Sequence, residues 1–394
     1  MTVVTSMKPQ KAHMLAAKCS ESKCQLPETR GKQPGARSQR PAANDRQPET
    51  SDRPFIVPIF LPHAGCPHRC VFCDQSSITG VRAKQTPKDI NDQIEAFLKF
   101  KTARRNKVQI AFFGGNFLGM PADEIKRLLA EAAGYVKTGR VNSIRFSTRP
   151  DTIDRQRLDL IKNLPVTTIE LGVQSMDERV LSATKRGHSV PDTEKAIQHL
   201  KELNYEVGVQ LMVGLPGDTP ERLIASARRV ARLKPDFIRI YPTVVLAGSP
   251  LAAGYRKGDY VPLSLDEAVS RTKHLFLLFK SKNIRVIRMG LQASQDLDNG
   301  STILAGPYHP AFGHLVYSEI FLDMAVEQIE SCARNADSIS IRANPGNVSK
   351  LRGLRNRNIE ILKKKFGFES VAVRPDDTLA EDQLKVSSKH RHSN

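Results

Sequence analysis

Cys66, Cys70 and Cys73 stand within one 16-residue stretch, FLPHAGCPHRCVFCDQ, that runs from Phe60 to Gln75. Thiolates are soft ligands, and three on a tight loop shaped by Gly65 and Pro67 suit zinc, a redox dithiol or an iron–sulfur cluster. Structural zinc usually takes four ligands from two arms. Only His63 or His68 offers a fourth nearby, and His68 sits between ligands, where the loop would have to fold back. A dithiol of Cys70 with Cys73 leaves Cys66 without a role. A cubane cluster held by three thiolates keeps one iron free of protein, so an exogenous molecule can bind there. Cys19, Cys24 and Cys332 are too scattered for a disulfide framework or a second cluster.

The elements that must position this loop begin at Pro54, where β-prone runs start to alternate with amphipathic helical patterns. The strands are FIVPIFL, VQIAFFGG, SIRFSTR, TIELGVQ, EVGVQLMVGL and FIRIYPTVV. Helical patterns follow near Lys88 to Phe100, Ala122 to Lys137, Asp154 to Asn163, Glu178 to Thr184, Pro191 to Leu203 and Glu221 to Leu233. The alternation predicts an α/β fold with a parallel sheet, a partial (β/α)6 TIM-type barrel over residues 55–292. A small C-terminal α+β extension is expected over 293–378, built from a helix at Pro310 to Ala333, the strand SISIRAN, a basic helix and the strand SVAVRP. Functional residues of parallel βα folds gather at the carboxyl ends of strands. The cysteine loop, GGN, STRPD, VQS and GLPGDT all fall at such ends.

With Phe72 just before the last cysteine, the CPHRCVFC spacing resembles the radical S-adenosylmethionine (SAM) superfamily. LGVQSMDERVL, KRGHS and GLPGDT are similar to its Elp3-type and porphyrinogen-dehydrogenase-like (HemN-type) branches, and CPHRC with GPYHPAFGHLVYSEIF favours the Elp3-related bacterial branch. The resemblance implies a [4Fe–4S] cluster on Cys66, Cys70 and Cys73, and SAM on its open iron. It implies SAM contacts from Gly114, Gly115, Asn116, Ser147, Gln174, Arg186 and Gln210, with Phe60 and Phe72 lining the site. Asn116 departs from the family's usual Glu, Ser or Thr, and Ser147 and Gln210 stand where the HemN-like branch has carboxylates. His188 falls in an Elp3-type motif, as a catalytic or a helix-capping residue; Tyr308, His309 and His314 edge the substrate cavity or shape a loop. The implied activity is reductive cleavage of SAM to a 5′-deoxyadenosyl radical, fed by a reductant of the flavodoxin or ferredoxin type. Elp3-type enzymes also carry an acetyltransferase half and modify tRNA; no glycine loop of the acetyltransferase kind, Arg/Gln-x-x-Gly-x-Gly/Ala, is found. The alternatives are a HemN-like porphyrinogen oxidase and a non-enzymatic zinc- or cluster-carrying nucleic-acid binder.

Of the 394 residues 40% are hydrophobic, enough for a real core, and the formal net charge is +19. Such a charge points to a polyanionic partner, and Lys350 to Lys365, KLRGLRNRNIEILKKK, is the candidate RNA-facing segment against the rival of a solvated helix face. Residues 1–54 read as a disordered basic tail, and 379–394 as a second frayed end. A transit peptide is the less favoured reading of the N-terminus. No run approaches the roughly 20 apolar residues of a membrane span, which makes the cytoplasm the expected compartment.

Overall fold

The computed structural model describes residues 54–80, 86–101, 107–292, 297, 302–334 and 336–389. The expected N-terminal tail, apart from Pro54, lies outside the described residues, as do Cys19 and Cys24. The strands are β1 (Phe55–Phe60), β2 (Val108–Phe113), β3 (Ser143–Thr148), β4 (Val166–Gln174), β5 (Glu206–Val213), β6 (Phe237–Pro242), β7 (Val245–Leu246), β8 (Arg285–Met289), β9 (Ile303–Ala305), β10 (Ser338–Ala343), β11 (Ser370–Pro375) and β12 (Leu384–Lys389). The helices are α1 (Gln75–Thr79), α2 (Pro87–Leu98), α3 (Ala122–Lys137), α4 (Arg155–Asp159), α5 (Glu178–Ala183), α6 (Val190–Glu202), α7 (Pro220–Arg232), α8 (Leu251–Lys257), α9 (Leu265–Ser281), α10 (Phe312–Cys332), α11 (Val348–Arg352) and α12 (Arg357–Phe366).

Seven strands form one parallel sheet in the order β1-β2-β3-β4-β5-β6-β8. The six expected strands are all present, and the β-prone run IRVIRM joins them as the seventh. The sheet curls into a half-barrel that stays open between β1 and β8. Its central strands are covered on both faces, which is why β3 is buried at all six positions although its sequence includes Ser143, Arg145, Ser147 and Thr148. Helices start where side chains satisfy their first N–H groups: Thr86 with Asp89, Ser189 with Asp192 and Ser264 with Glu267 form capping boxes for α2, α6 and α9. Each of these helices then turns an apolar stripe to the sheet, as Ile90 and Ile94 do from α2.

A second core lies under the sheet β11-β10-β12, where Ile339 and Ile341 pack with Phe321, Ile329, Leu351 and Leu362. Two expected boundaries move. Residues 379–394 were expected to fray, but Leu384–Lys389 pair antiparallel with β10 and supply the strand β12. The sequence LKVSSK gives little apolar alternation, so pairing partners rather than propensity make it a strand. The extension also begins later than residue 293: β9 pairs with β7 of the first body, and Phe312 and Val316 of α10 pack with Ala268 and Val269 of α9. The same helix contributes Phe321 and Ile329 to the second core, so it belongs to both. Among the described residues no helix is long and apolar enough to cross a membrane.

Candidate active site at the mouth of the half-barrel

The loop after β1 carries the cysteines, and it is held by backbone fit before any metal is considered. Gly65 and Gly115 both have positive φ, 68° and 53°. A Cβ on Gly65 would overlap the Asn116 carbonyl and the Met120 amide, and one on Gly115 would overlap the Ala64 backbone. The glycine pair after β2 therefore has a second duty: it lets this loop pack on the cysteine loop backbone to backbone. Gln75 locks the two together, since its Oε1 accepts from the His63 N–H at 2.6 Å and the Gly115 N–H at 2.7 Å. We expect Gly115→Ala to lower the thermal midpoint and weaken SAM binding together, because both the positive φ and the overlap oppose a side chain there. A variant with an unchanged midpoint would contradict this.

Cys66, Cys70 and Cys73 line a cavity of about 270 Å³ with Phe60, Phe72, Gly114, Gly115, Ser147, Gln174, Arg186 and Gln210. Eight of the nine expected non-cysteine site residues thus meet around the three thiols. Asn116 is the exception. It is buried, and its amide donates to the Gly65 carbonyl while its Oδ1 accepts from Thr148, the Arg149 N–H and Thr152. Its side-chain oxygen and one of its two amide N–H groups are engaged in tying these loops together, so the side chain serves as scaffold and does not line the cavity.

Two of the lining residues keep a buried polar atom with no hydrogen-bond partner among the described residues, Gln174 Oε1 and Arg186 Nε. Gln174 ends β4 at a bulge with φ of 69°, a left-handed conformation that costs a non-glycine residue about 1–3 kcal/mol. Its buried Oε1 accepts no hydrogen bond among the described residues. Arg186 is buried too; its Nη1 donates to Cys70 Sγ at 3.1 Å and its Nη2 to the Gly172 carbonyl. Burial, and then the neighbouring Cys70 and Cys66, push the Cys73 thiol up to about 12, and burial and Cys70 also raise Cys66. Three crowded thiolates are thus unfavourable without a cation between them, which iron supplies. Among the described residues no three His, Cys, Asp or Glu side chains converge closely enough to hold a single ion. A cubane differs in presenting a separate iron to each thiolate.

The histidines take other roles. His63 Nε2 accepts from the Gln75 N–H at 3.1 Å, and His68 Nε2 lies 2.7 Å from the Lys185 carbonyl. His188 is buried outside the cavity lining, and burial with Arg186 and Arg149 nearby lowers its pKa to about 3, which keeps it neutral. Tyr308, His309 and His314 do not line the cysteine cavity; His309 Nδ1 accepts from the Ala311 N–H and His314 pairs with Ser318 on α10.

Sequence reasoning missed a charged row inside the barrel. Glu170 of β4 is fully buried and lies beside Ser147 in register. It pairs with Arg239 Nε at 2.7 Å and Arg145 Nε at 3.3 Å, and accepts from Gln210 Nε2 at 3.2 Å. Glu170 does not line the cysteine cavity; it serves Arg145, Arg239 and Gln210 beneath it. The available signal was a charge at an alternating position in each of the runs SIRFST, TIELGVQ and FIRIYP, all otherwise apolar enough to be buried.

With the geometry in place, comparison with known proteins decides the family. Residues 60–230 match the model of the Radical SAM superfamily, and 235–321 match the Radical_SAM C-terminal domain. The chain belongs to the radical SAM superfamily. A tRNA uridine(34) acetyltransferase of Methanocaldococcus jannaschii is 28% identical over 257 residues, covering 54% of this chain and 47% of that protein. An uncharacterised protein of the same organism is 29% identical over 216 residues, 52% of this chain and 66% of its own length. The chain thus spans from about half to two-thirds of the length of these relatives. The structure of Methanocaldococcus infernus Elp3 with an N-terminal deletion shares the fold, with a TM-score of 0.54 and 24% identity over 68% of this chain and 62% of that one. The chain is an Elp3-like radical SAM protein, and radical SAM proteins carry a [4Fe–4S] cluster and SAM. The three thiols, the unpartnered Gln174 carbonyl and the Arg186 fork fit both groups.

Proposed function

We propose that this chain is a radical SAM enzyme that cleaves SAM reductively and acts on RNA. A cluster held by Cys66, Cys70 and Cys73 would supply one-electron reduction of SAM, and so its cleavage to methionine and a 5′-deoxyadenosyl radical able to abstract hydrogen. The chain's own part is to hold and shield these groups. Cys66, Cys70 and Cys73 provide the thiolates, and Arg186 braces the Cys70 sulfur against the end of β4. Gln174 offers its unpartnered carbonyl to a donor on the ligand, while Gly114 and Gly115 present bare backbone to the cavity. Phe60 and Phe72 supply apolar walls that keep water from the reacting atoms.

The single observation that carries the reading is the meeting of three thiols with an unsatisfied, strained Gln174 at one barrel mouth. Anaerobic reconstitution followed by incubation with dithionite and SAM tests it. We expect bound iron and 5′-deoxyadenosine; a chain that retains no iron, or that releases no 5′-deoxyadenosine with any reductant, contradicts the reading. A flavodoxin- or ferredoxin-type protein is the physiological reductant under the same proposal.

The RNA part rests on the printed name of the tRNA-directed relative and on surface charge. The basic segment is less available than its sequence implies. Lys350 binds Asn347 and sits over Tyr317, Arg357 forks onto Asp266, and Lys365 pairs with Glu330. Arg355, Lys363 and Lys364 remain without an ion-pair partner among the described residues. Filter binding of tRNA at two salt concentrations is expected to show salt-sensitive affinity, and Arg355→Ala with Lys364→Ala is expected to lower the salt slope by about 2. Binding without salt sensitivity, or none, removes the RNA part and leaves the SAM chemistry standing.

A further inference from the structure

We propose that Arg288, backed by Arg239, forms an oxyanion subsite that anchors a phosphate or carboxylate of the substrate inside the half-barrel. Gly172, Gln210, Arg239 and Arg288 are register partners across β4, β5, β6 and β8, so they form one layer of the barrel interior. Two arginines directly opposite on adjacent strands repel each other. Arg239 has compensation, since it forks onto Glu170 and lies over the Phe113 ring at 5.5 Å. Arg145, one layer away, has the other side of Glu170 and the face of Phe237. Arg288 has no ion pair or ring contact of this kind, Glu170 and Tyr241 acting on it only at longer range, and its one hydrogen bond among the described residues runs from Nε to the Gly290 carbonyl at 3.2 Å.

The surroundings deepen the imbalance. The cysteine cavity is lined by Arg69, Arg149, Arg186, Arg239 and Arg288 and by no carboxylate. Arg149 is answered by Asp151 and Arg186 by the Cys70 sulfur, both on the cysteine side. A second cavity of about 660 Å³ opens at the gap between β1 and β8, with Arg145, Lys280, Arg285 and one carboxylate, Glu206, in its wall. Arg239 and Arg288 line both cavities. A half-buried guanidinium with free N–H groups, at the meeting point of two cavities and next to a like charge, fits a bound oxyanion held by two N–H donors. An anion there lies in the same cavity as the cysteine loop but across the sheet from β1, where it fixes one end of a substrate while the rest reaches the thiol side.

The role as a substrate anchor rests on the radical SAM reading; the anion site does not, and the test separates them. Calorimetric titration of the full-length, anaerobically reconstituted protein without reductant, using inorganic pyrophosphate in one arm and succinate in another, is expected to show binding by at least one. The tighter arm identifies phosphate or carboxylate chemistry. Arg288→Met is expected to weaken that binding about tenfold or more, Arg288→Lys by less, and the surface control Lys137→Ala, exposed at the end of α3, not at all. In anion-free buffer Arg288→Met is also expected to raise the thermal midpoint, since it relieves the repulsion with Arg239. Binding of neither anion, equal binding by Arg288→Met, displacement of the anion by SAM alone, or a lowered midpoint each overturns the proposal. Failure to take up iron in the same preparation counts against the radical SAM reading only, because the unloaded chain still reports anion binding.

Discussion

A Cys70→Ala protein is expected to fold, to take up almost no iron and sulfide on anaerobic reconstitution, and to form 5′-deoxyadenosine only at background. Cys70 is the most buried of the three thiols and the one that Arg186 contacts at 3.1 Å. Two remaining thiolates cannot hold a cubane that three secure, and the loss leaves Arg186 without its sulfur partner. The fold should survive, because Gln75, Gly65 and Asn116 hold the cysteine loop without help from a metal. Iron and sulfide content, product chromatography and a thermal midpoint on the same sample read the three claims separately. Cys332→Ala is the control; that thiol is exposed on α10, and its loss should change none of them. Wild-type iron content in Cys70→Ala would show that this cysteine is not a ligand.

The largest effect on stability is expected from Glu170→Ala. This carboxylate is the one buried anion serving both Arg145 and Arg239, whose side chains are 5% and 13% exposed. Taking one partner from such a group leaves charge in a poor dielectric, with a typical cost of about 3–5 kcal/mol. For a domain of this size that corresponds to a fall in thermal midpoint on the order of 10 °C. Glu170→Leu combined with Arg145→Met and Arg239→Leu should recover much of the loss, since replacing the whole of a buried ionic group by apolar volume is often neutral. The recovery distinguishes uncompensated charge from a simple cavity. A fall of less than about 1 kcal/mol for Glu170→Ala would mean that water already solvates the cluster.

Where local pattern and burial agree, the fold was legible. The expected Ala122 to Lys137 helix matches α3 end to end, because its apolar stripe and the acidic residues of its first turn are both local. The cysteine loop was legible because its spacing fixes its chemistry. Other features depended on residues far apart in the chain. Asn116 looked like a ligand residue beside a glycine pair, but its role is set by Gly65 and Thr148, 51 and 32 positions away. The Glu170 row required knowing that β3, β4 and β6 bring their charges to one interior, which strand registers decide and alternation does not. β12 was missed because its pairing partner β10 supplies the order that its own composition withholds.

The Gln75 clamp has a consequence for how the chain meets oxygen. One carboxamide oxygen receives an N–H from each of two loops, and the Gln75 backbone N–H returns to His63 Nε2, so the cysteine loop is tied by protein contacts. The ordering entropy of that loop is therefore settled during folding rather than on arrival of iron. A cluster destroyed by air then leaves behind a receptacle instead of a tangle. Damage and repair become cycles on one scaffold, and the lifetime of the polypeptide is uncoupled from the lifetime of its most fragile part.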